Sequence, residues 1–228
     1  MAKESQPSTE SESYAALKVE LKVGTETFMQ DGHTLELTLQ DFWKWALSDL
    51  VVNTSRGVLA EYVVAMALGI TDTGLRKEWA SIDLTTLNGT TVEVKTSAYW
   101  QSWGQEKRSA INFGIRPTRE VIEGTAKYRK EAKRHADVYV FCLLDHEVKV
   151  KLNPLDLDQW GFYVLPTYVL DQEFPLDNSK STGTISRSKL KKLEPRQASY
   201  GELNAYVELA AQEQKERMGN DKVVNSDS

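Results

Sequence analysis

Asp83, Glu93 and Lys95 are the residues of this 228-residue chain whose types and spacing could do chemistry together; all three fall within SIDLTTLNGTTVEVKTS, residues 81–97. Two carboxylates held side by side repel unless a cation lies between them, and one lysine supplies only a single positive charge. A divalent metal supplies more. Oxygen-only ligation at about 2.0–2.1 Å with several retained waters is what magnesium prefers. The thiolate and imidazole ligands that would favour zinc are missing from this stretch. His33, His135 and His146 show no metal-ligand spacing, and Cys142 sits inside the apolar run VYVFCLL, where it reads as a core residue. Catalysis by this chain therefore rests on carboxylates and lysine.

The element that must bring these groups together is a hairpin. Ile82, Leu84, Val92 and Val94 are even-numbered and apolar, while Asp83, Glu93, Lys95 and Ser97 are odd-numbered and polar. Such alternation makes two half-buried strands. A two-residue turn at Asn88-Gly89 would mix the two sets on both faces. A three-residue loop of Leu87, Asn88 and Gly89, a type I turn followed by a glycine bulge, places Ile82 against Val94, Leu84 against Val92 and Asp83 opposite Glu93. Directly opposite residues have Cβ atoms about 4.5–5.5 Å apart.

The preceding segment, SRGVLAEYVVAMALG, is a helix that Ser55 can cap and Gly69 can end, apolar almost all round. Such a helix is expected to be buried, and apart from Arg56 near the cap its charge is Glu61. A buried carboxylate must find a cation, a proton or solvent. Metal or Lys95 would satisfy it; so would a structural arginine.

Elsewhere, residues 1–14 and 215–228 are polar tails expected to be disordered, leaving a single domain over 15–214. LKVELKV (17–23) and LELTL (35–39) alternate around Asp31-Gly32, which predicts an N-terminal hairpin. TLQDFWKWALSDLV continues as a helix. A short strand is expected near INFGI, then a helix opened by Pro117 whose later part is TAKYRKEAKRH, then a buried strand, ADVYVFCLL. WGFYVLP reads as a further strand, TISRSKLKKL as a strand or turn into a short helix, and SYGELNAYVELAAQ as a closing helix started by Ser199. The class is α/β, a mixed sheet with helices on its faces.

Hydrophobic content of 40% and charged content of 27% are those of a globular protein. No apolar run approaches the roughly 20 residues that span a bilayer, and MAKESQPSTESES lacks the apolar stretch of a signal peptide, so a cytoplasmic, membrane-free protein is expected. A net charge of −5 hides two basic segments. One, over residues 105–135, includes Lys127, Lys130, Lys133 and Arg134; the other, SRSKLKKLEPR, includes Arg187 and Lys189. They are expected to contact phosphates, with solvated helix faces as the alternative. Trp100 and Trp103 could stack on bases, but burial preference favours the core.

Asp83, nine intervening residues and then Glu93-Val94-Lys95 resembles the PD-(D/E)xK nuclease superfamily, with Ile82 standing where proline often precedes the aspartate. The resemblance covers roughly residues 55–145. It implies a restriction-endonuclease-like core of helix, three strands, helix and strand, here with an N-terminal hairpin and a C-terminal helical extension. It further implies that Asp83, Glu93 and the carbonyl of Val94 bind magnesium, for which manganese substitutes, with Glu61 assisting. Lys95 would orient or deprotonate the attacking water, and Gln101, beyond the motif strand, could reach the site. The expected function is a magnesium-dependent DNA endonuclease of bacterial restriction or phage defence. Action on RNA, and a catalytically silent module that binds nucleic acid or a protein, are the alternatives. A homodimer and a subunit of a larger defence complex both stay open.

Overall fold

The structure is a computed structural model that describes residues 17–72, 74–76, 80–121, 128–176 and 183–224. The chain divides into two units, residues 1–42 and 43–228. In the first, β1 (Thr27–Gln30) and β2 (His33–Thr38) form an antiparallel hairpin. Asp31 and Gly32 both adopt positive φ at its two-residue turn, the backbone that matches strand twist. The expected hairpin forms with a different first strand. Residues 17–23 pair with no strand among the described residues, and their alternate apolar side chains, such as Leu17 and Val19, are exposed. Helix α1 (Leu39–Leu47) follows, its start tied by Asp41, which accepts from the Thr38 N–H at 2.9 Å.

The boundary between the units falls within α1, and the next element of the second unit is α2 (Asn53–Ala67). It starts two residues before the expected Ser55 cap, with Val52 at the N-cap position and no side-chain cap; just upstream, Asp49 accepts from the N–H groups of Val51 and Val52 at 3.1 Å. It ends as expected at Gly69, whose φ of 67° lets Ile70 N–H reach Ala65 O and Gly69 N–H reach Met66 O. The helix is not buried all round. Ala60, Val63 and Val64 are buried, while Val58 and Tyr62 on the opposite stripe are exposed.

Next come β3 (Leu84–Thr85) and β4 (Thr91–Ala98), antiparallel with Leu84 opposite Val92. The loop is the bulged one: Gly89 N–H donates to Thr86 O, Thr86 N–H donates to Thr90 O, and Gly89 has φ 77°. The chain then forms β5 (Asn112–Gly114), β6 (Thr118–Val121), β7 (Tyr128–Lys133) and the buried β8 (Val138–Leu144). After two short 3-10 turns come β9 (Trp160–Pro166), α3 (Thr167–Glu173), β10 (Thr184–Ser186), α4 (Arg187–Lys192), β11 (Arg196–Ala198) and α5 (Leu203–Val224). The closing helix is opened by Ser199 through a capping box with Glu202. It continues through the stretch expected to be a tail from 215.

The central sheet is mixed, in the order β11-β9-β8-β4-β3, with β4 and β8 parallel and the other pairs antiparallel. Thr91 and Asp137 clasp the start of the parallel pair: the Asp137 carboxylate accepts from both the N–H and the hydroxyl of Thr91, and Asp137 N–H donates back to Thr91 O. Helices α2 and α5 cover one face, where Val92, Val94, Val140 and Val164 meet Val64, Val207 and Ala210. The other face carries Tyr139, Phe141 and Leu143 against Phe113, Leu170, Ile185 and Leu190. The fold is thus α/β with a central mixed sheet flanked by helices.

Two expectations fail between β4 and β8. The strand at INFGI forms, but β5 pairs with β10 and not with the central sheet. The basic helix after Pro117 is instead an antiparallel ribbon of β6 and β7, with Thr118 opposite Lys133. Every residue of β7 is exposed. With no apolar stripe to bury, TAKYRKEAKRH has no packing energy to hold a helix against the sheet. Among the described residues no helix is long and apolar enough to cross a membrane.

Candidate active site

Glu93 and Lys95 project from the middle of β4 on the face opposite α2, beside Tyr139 and Phe141 of the parallel neighbour. Lys95 Nζ pairs with a Glu93 carboxylate oxygen, and the Glu93 side chain is 16% exposed. Asp83 lies one residue before β3, where the ladder has stopped. Its Oδ2 accepts from the Val94 N–H at 2.7 Å, so a side chain takes the place of the missing strand partner. A strand residue's N–H and C=O point to the same side, so the Val94 carbonyl also points toward the β3 edge.

Burial, and then the negative charge of Glu93, push the Asp83 carboxyl up to about 6, against the pull of Lys95 and the Val94 hydrogen bond. Tyr139, 3% exposed beside Glu93, has its hydroxyl pKa pushed upward by the same causes. Two crowded carboxylates, one with its pKa raised by burial and by the other, form a site whose repulsion a divalent cation would relieve. Among the described residues no cluster of three His, Cys, Asp or Glu side chains is gathered for a metal. The candidate donors, the Asp83 and Glu93 carboxylates and the Val94 carbonyl, are all oxygens, a set that would suit a hard, mostly hydrated cation such as magnesium.

The remaining sequence candidates fall elsewhere. Glu61 is 13% exposed and is gripped on both oxygens by Arg76, at 2.5 and 2.9 Å. That is the structural-arginine alternative; its charge still raises the Asp83 pKa slightly. Arg76 lies in an irregular segment that carries no sequence signal. Gln101 is buried and its Oε1 is committed to Arg56 at 3.2 Å. Arg56 is itself 3% exposed, with its pKa lowered to about 10 by burial; it also donates to Val51 O and to the Asn53 side chain.

Arg134 is not a surface cation. It is 6% exposed and donates to Ile115 O, Asp171 and Phe174 O. Lys130 and Lys133 stand exposed on β7 without an ion pair among the described residues, and Lys127 lies outside those residues. Lys189 pairs with Glu173 at 3.1 Å and lies 4.2 Å over the Phe174 ring; Arg187 pairs with Asp145 at 2.8 Å. Trp100 and Trp103 are not core. Trp103 is 52% exposed, and the Trp100 indole donates to Glu147 O.

A family model, bacteriophage T4 endonuclease IV, matches residues 18–177, well over half of the chain. The chain belongs to the bacteriophage T4 endonuclease IV family. Comparison with curated proteins finds no match, nor does comparison with solved structures. The span matched to endonuclease IV takes in both hairpins, the acidic pair with Lys95 and the parallel β4–β8 pair. It stops before α4 and α5.

Proposed function

We propose that this endonuclease IV family member hydrolyses phosphodiester bonds of DNA with magnesium at Asp83 and Glu93, in a site of the PD-(D/E)xK kind. One observation carries the reading: the Val94 N–H holds Asp83 at the edge of the strand that presents Glu93 and Lys95. Asp83, Glu93 and the Val94 carbonyl would hold the ion. Bound magnesium would lower the pKa of a water and offset charge on the nonbridging oxygens.

The chain's own groups divide the rest of the work. Lys95, half-exposed beside Glu93, directs its ammonium at the charge that develops on the attacked phosphate and orients the incoming water. Glu93 keeps that ammonium in place. Tyr139 and Phe141 form the apolar floor that limits water around both. The exposed Lys130 and Lys133 on the β6–β7 ribbon supply phosphate contacts, and a two-stranded ribbon is a shape that the major groove admits. A setting in restriction or phage defence rests on the restriction-endonuclease resemblance alone.

The test is cleavage of duplex DNA, single-stranded DNA and structured RNA by wild type and Lys95→Ala, each with magnesium, manganese or EDTA. DNA cutting that needs the metal and is lost in the variant is the expected result. Cutting of RNA alone moves the substrate, and cutting unchanged in Lys95→Ala rejects the site.

A further inference from the structure

A cavity of about 490 Å³ opens beside Tyr99, just past the end of β4. Tyr99 packs against the same apolar cluster as Phe141, so the cavity lies on the side of the sheet that carries Glu93 and Lys95. Its walls are fixed by backbone. Ser109 N–H donates to Tyr99 O at 2.9 Å, Arg187 N–H donates to Ile111 O at 3.1 Å, and Asn112 pairs with Ser186 across β5 and β10.

The lining has a definite chemistry. None of its residues is acidic, although the protein carries a net charge of −5. Arg187 is immobilised by Asp145, by the Tyr163 hydroxyl at 2.9 Å and by the Tyr99 hydroxyl, so its charge is largely offset. Lys191 has no carboxylate partner among the described residues and lies 6.0 Å over the Tyr163 ring. It is the unneutralised cation of the cavity. Ser109 and Asn112 add neutral donors, and Ile111 gives an apolar wall. One ammonium, a few donors and an apolar wall in an open depression suit an anion joined to a flat apolar group.

We infer that this cavity takes one nucleotide of the substrate strand, its phosphate on Lys191 and its base against the Ile111 wall. The inference rests on the nuclease reading. Lys95 and Tyr99 are four residues apart, about 13 Å at strand spacing, which corresponds to about four nucleotides of stacked rise. A strand cut beside Lys95 therefore reaches the cavity only if it extends several nucleotides to one side.

The experiment is fluorescence anisotropy in EDTA with single-stranded oligodeoxynucleotides from the dinucleotide upward, for wild type, Lys191→Ala and Lys192→Ala. Lys192 is exposed on the same helix and does not line the cavity. Lys191→Ala should weaken oligonucleotides of every length about tenfold and reduce the salt slope by about 1, since even a dinucleotide can enter the cavity. Lys192→Ala should behave as wild type. No loss, or equal loss in Lys192→Ala, overturns the inference. So does competition by inorganic phosphate as strong as that by a deoxynucleoside 5′-monophosphate. Metal-dependent cleavage with an unchanged Lys191→Ala profile rejects the cavity alone. A loss confined to Lys191→Ala in a protein that cuts nothing rejects the nuclease reading alone.

Discussion

Asp83 Oδ2 sits 2.7 Å from the Val94 amide nitrogen, two positions past the last rung of the β3–β4 ladder. The edge strand ends early, and an aspartate side chain satisfies the amide that backbone would otherwise have paired. The carboxylate is thereby fixed by its neighbour's backbone and not by a flexible ion pair. That arrangement also explains its titration, since the burial that orders Asp83 is the first cause of its raised pKa.

Stability without metal should fall with rising pH on account of Asp83. Its folded pKa of about 6 lies above the ordinary 3.8, so its contribution is fully present below about pH 3.8 and is lost as pH rises through 6. Asp83→Asn cannot ionise and can still accept from Val94. It should raise stability at pH 8 by up to about 3 kcal/mol and change it little at pH 4. Thermal denaturation of metal-free protein at the two pH values reads the difference; a variant less stable than wild type at pH 8 contradicts it.

Magnesium affinity should carry the same group's signature with the opposite benefit. The ion needs an ionised Asp83, so below pH 6 its apparent affinity should weaken about tenfold per pH unit. Titrations of cleavage rate against magnesium at pH 5 and pH 7.5 test this, and an unchanged midpoint would count against Asp83 as a ligand.

Glu61 should matter more to stability than to cleavage. Its grip on Arg76 is partly exposed, so Glu61→Gln should cost about 1 kcal/mol and reduce the cleavage rate by less than tenfold. Denaturant unfolding and steady-state rates together decide it. A loss as large as that in Asp83→Asn would return Glu61 to the metal.

The ribbon cations and Arg134 should separate cleanly. Lys130→Glu with Lys133→Glu is expected to weaken oligonucleotide binding and lower the salt slope by about 2, at unchanged stability. Arg134→Ala should instead cost roughly 2–4 kcal/mol, because it leaves the buried carbonyls of Ile115 and Phe174 without a donor. Anisotropy at several salt concentrations and chemical denaturation distinguish the two.

What could be read from the chain was what short-range geometry encodes. The β3–β4 register follows from alternating apolar residues and from the one loop that keeps Leu84 opposite Val92, with Gly89 free to take positive φ. The Ser199–Glu202 capping box and the Gly69 helix end are equally local. Partner choice is not. Nothing within INFGI states that β5 joins β10, and nothing near Glu61 announces Arg76. The segment of the β6–β7 ribbon reads as a helix because its lysines, alanines and glutamates favour one by composition, yet they offer no face to bury.

The Thr91–Asp137 clasp has a consequence for how the molecule comes into being. β3 and β4 are neighbours along the chain, so Asp83, Glu93 and Lys95 can meet as soon as a single hairpin closes, on the order of microseconds. β8 must return to β4 across the whole of β5, β6 and β7, and the cavity waits further still for α4. Such long-range pairing is the slow part of folding. On an emerging polypeptide the carboxylates and lysine stand together well before any groove exists to hold a strand. The acidic pair with its lysine and the cavity thus arise at separate times as well as in separate places.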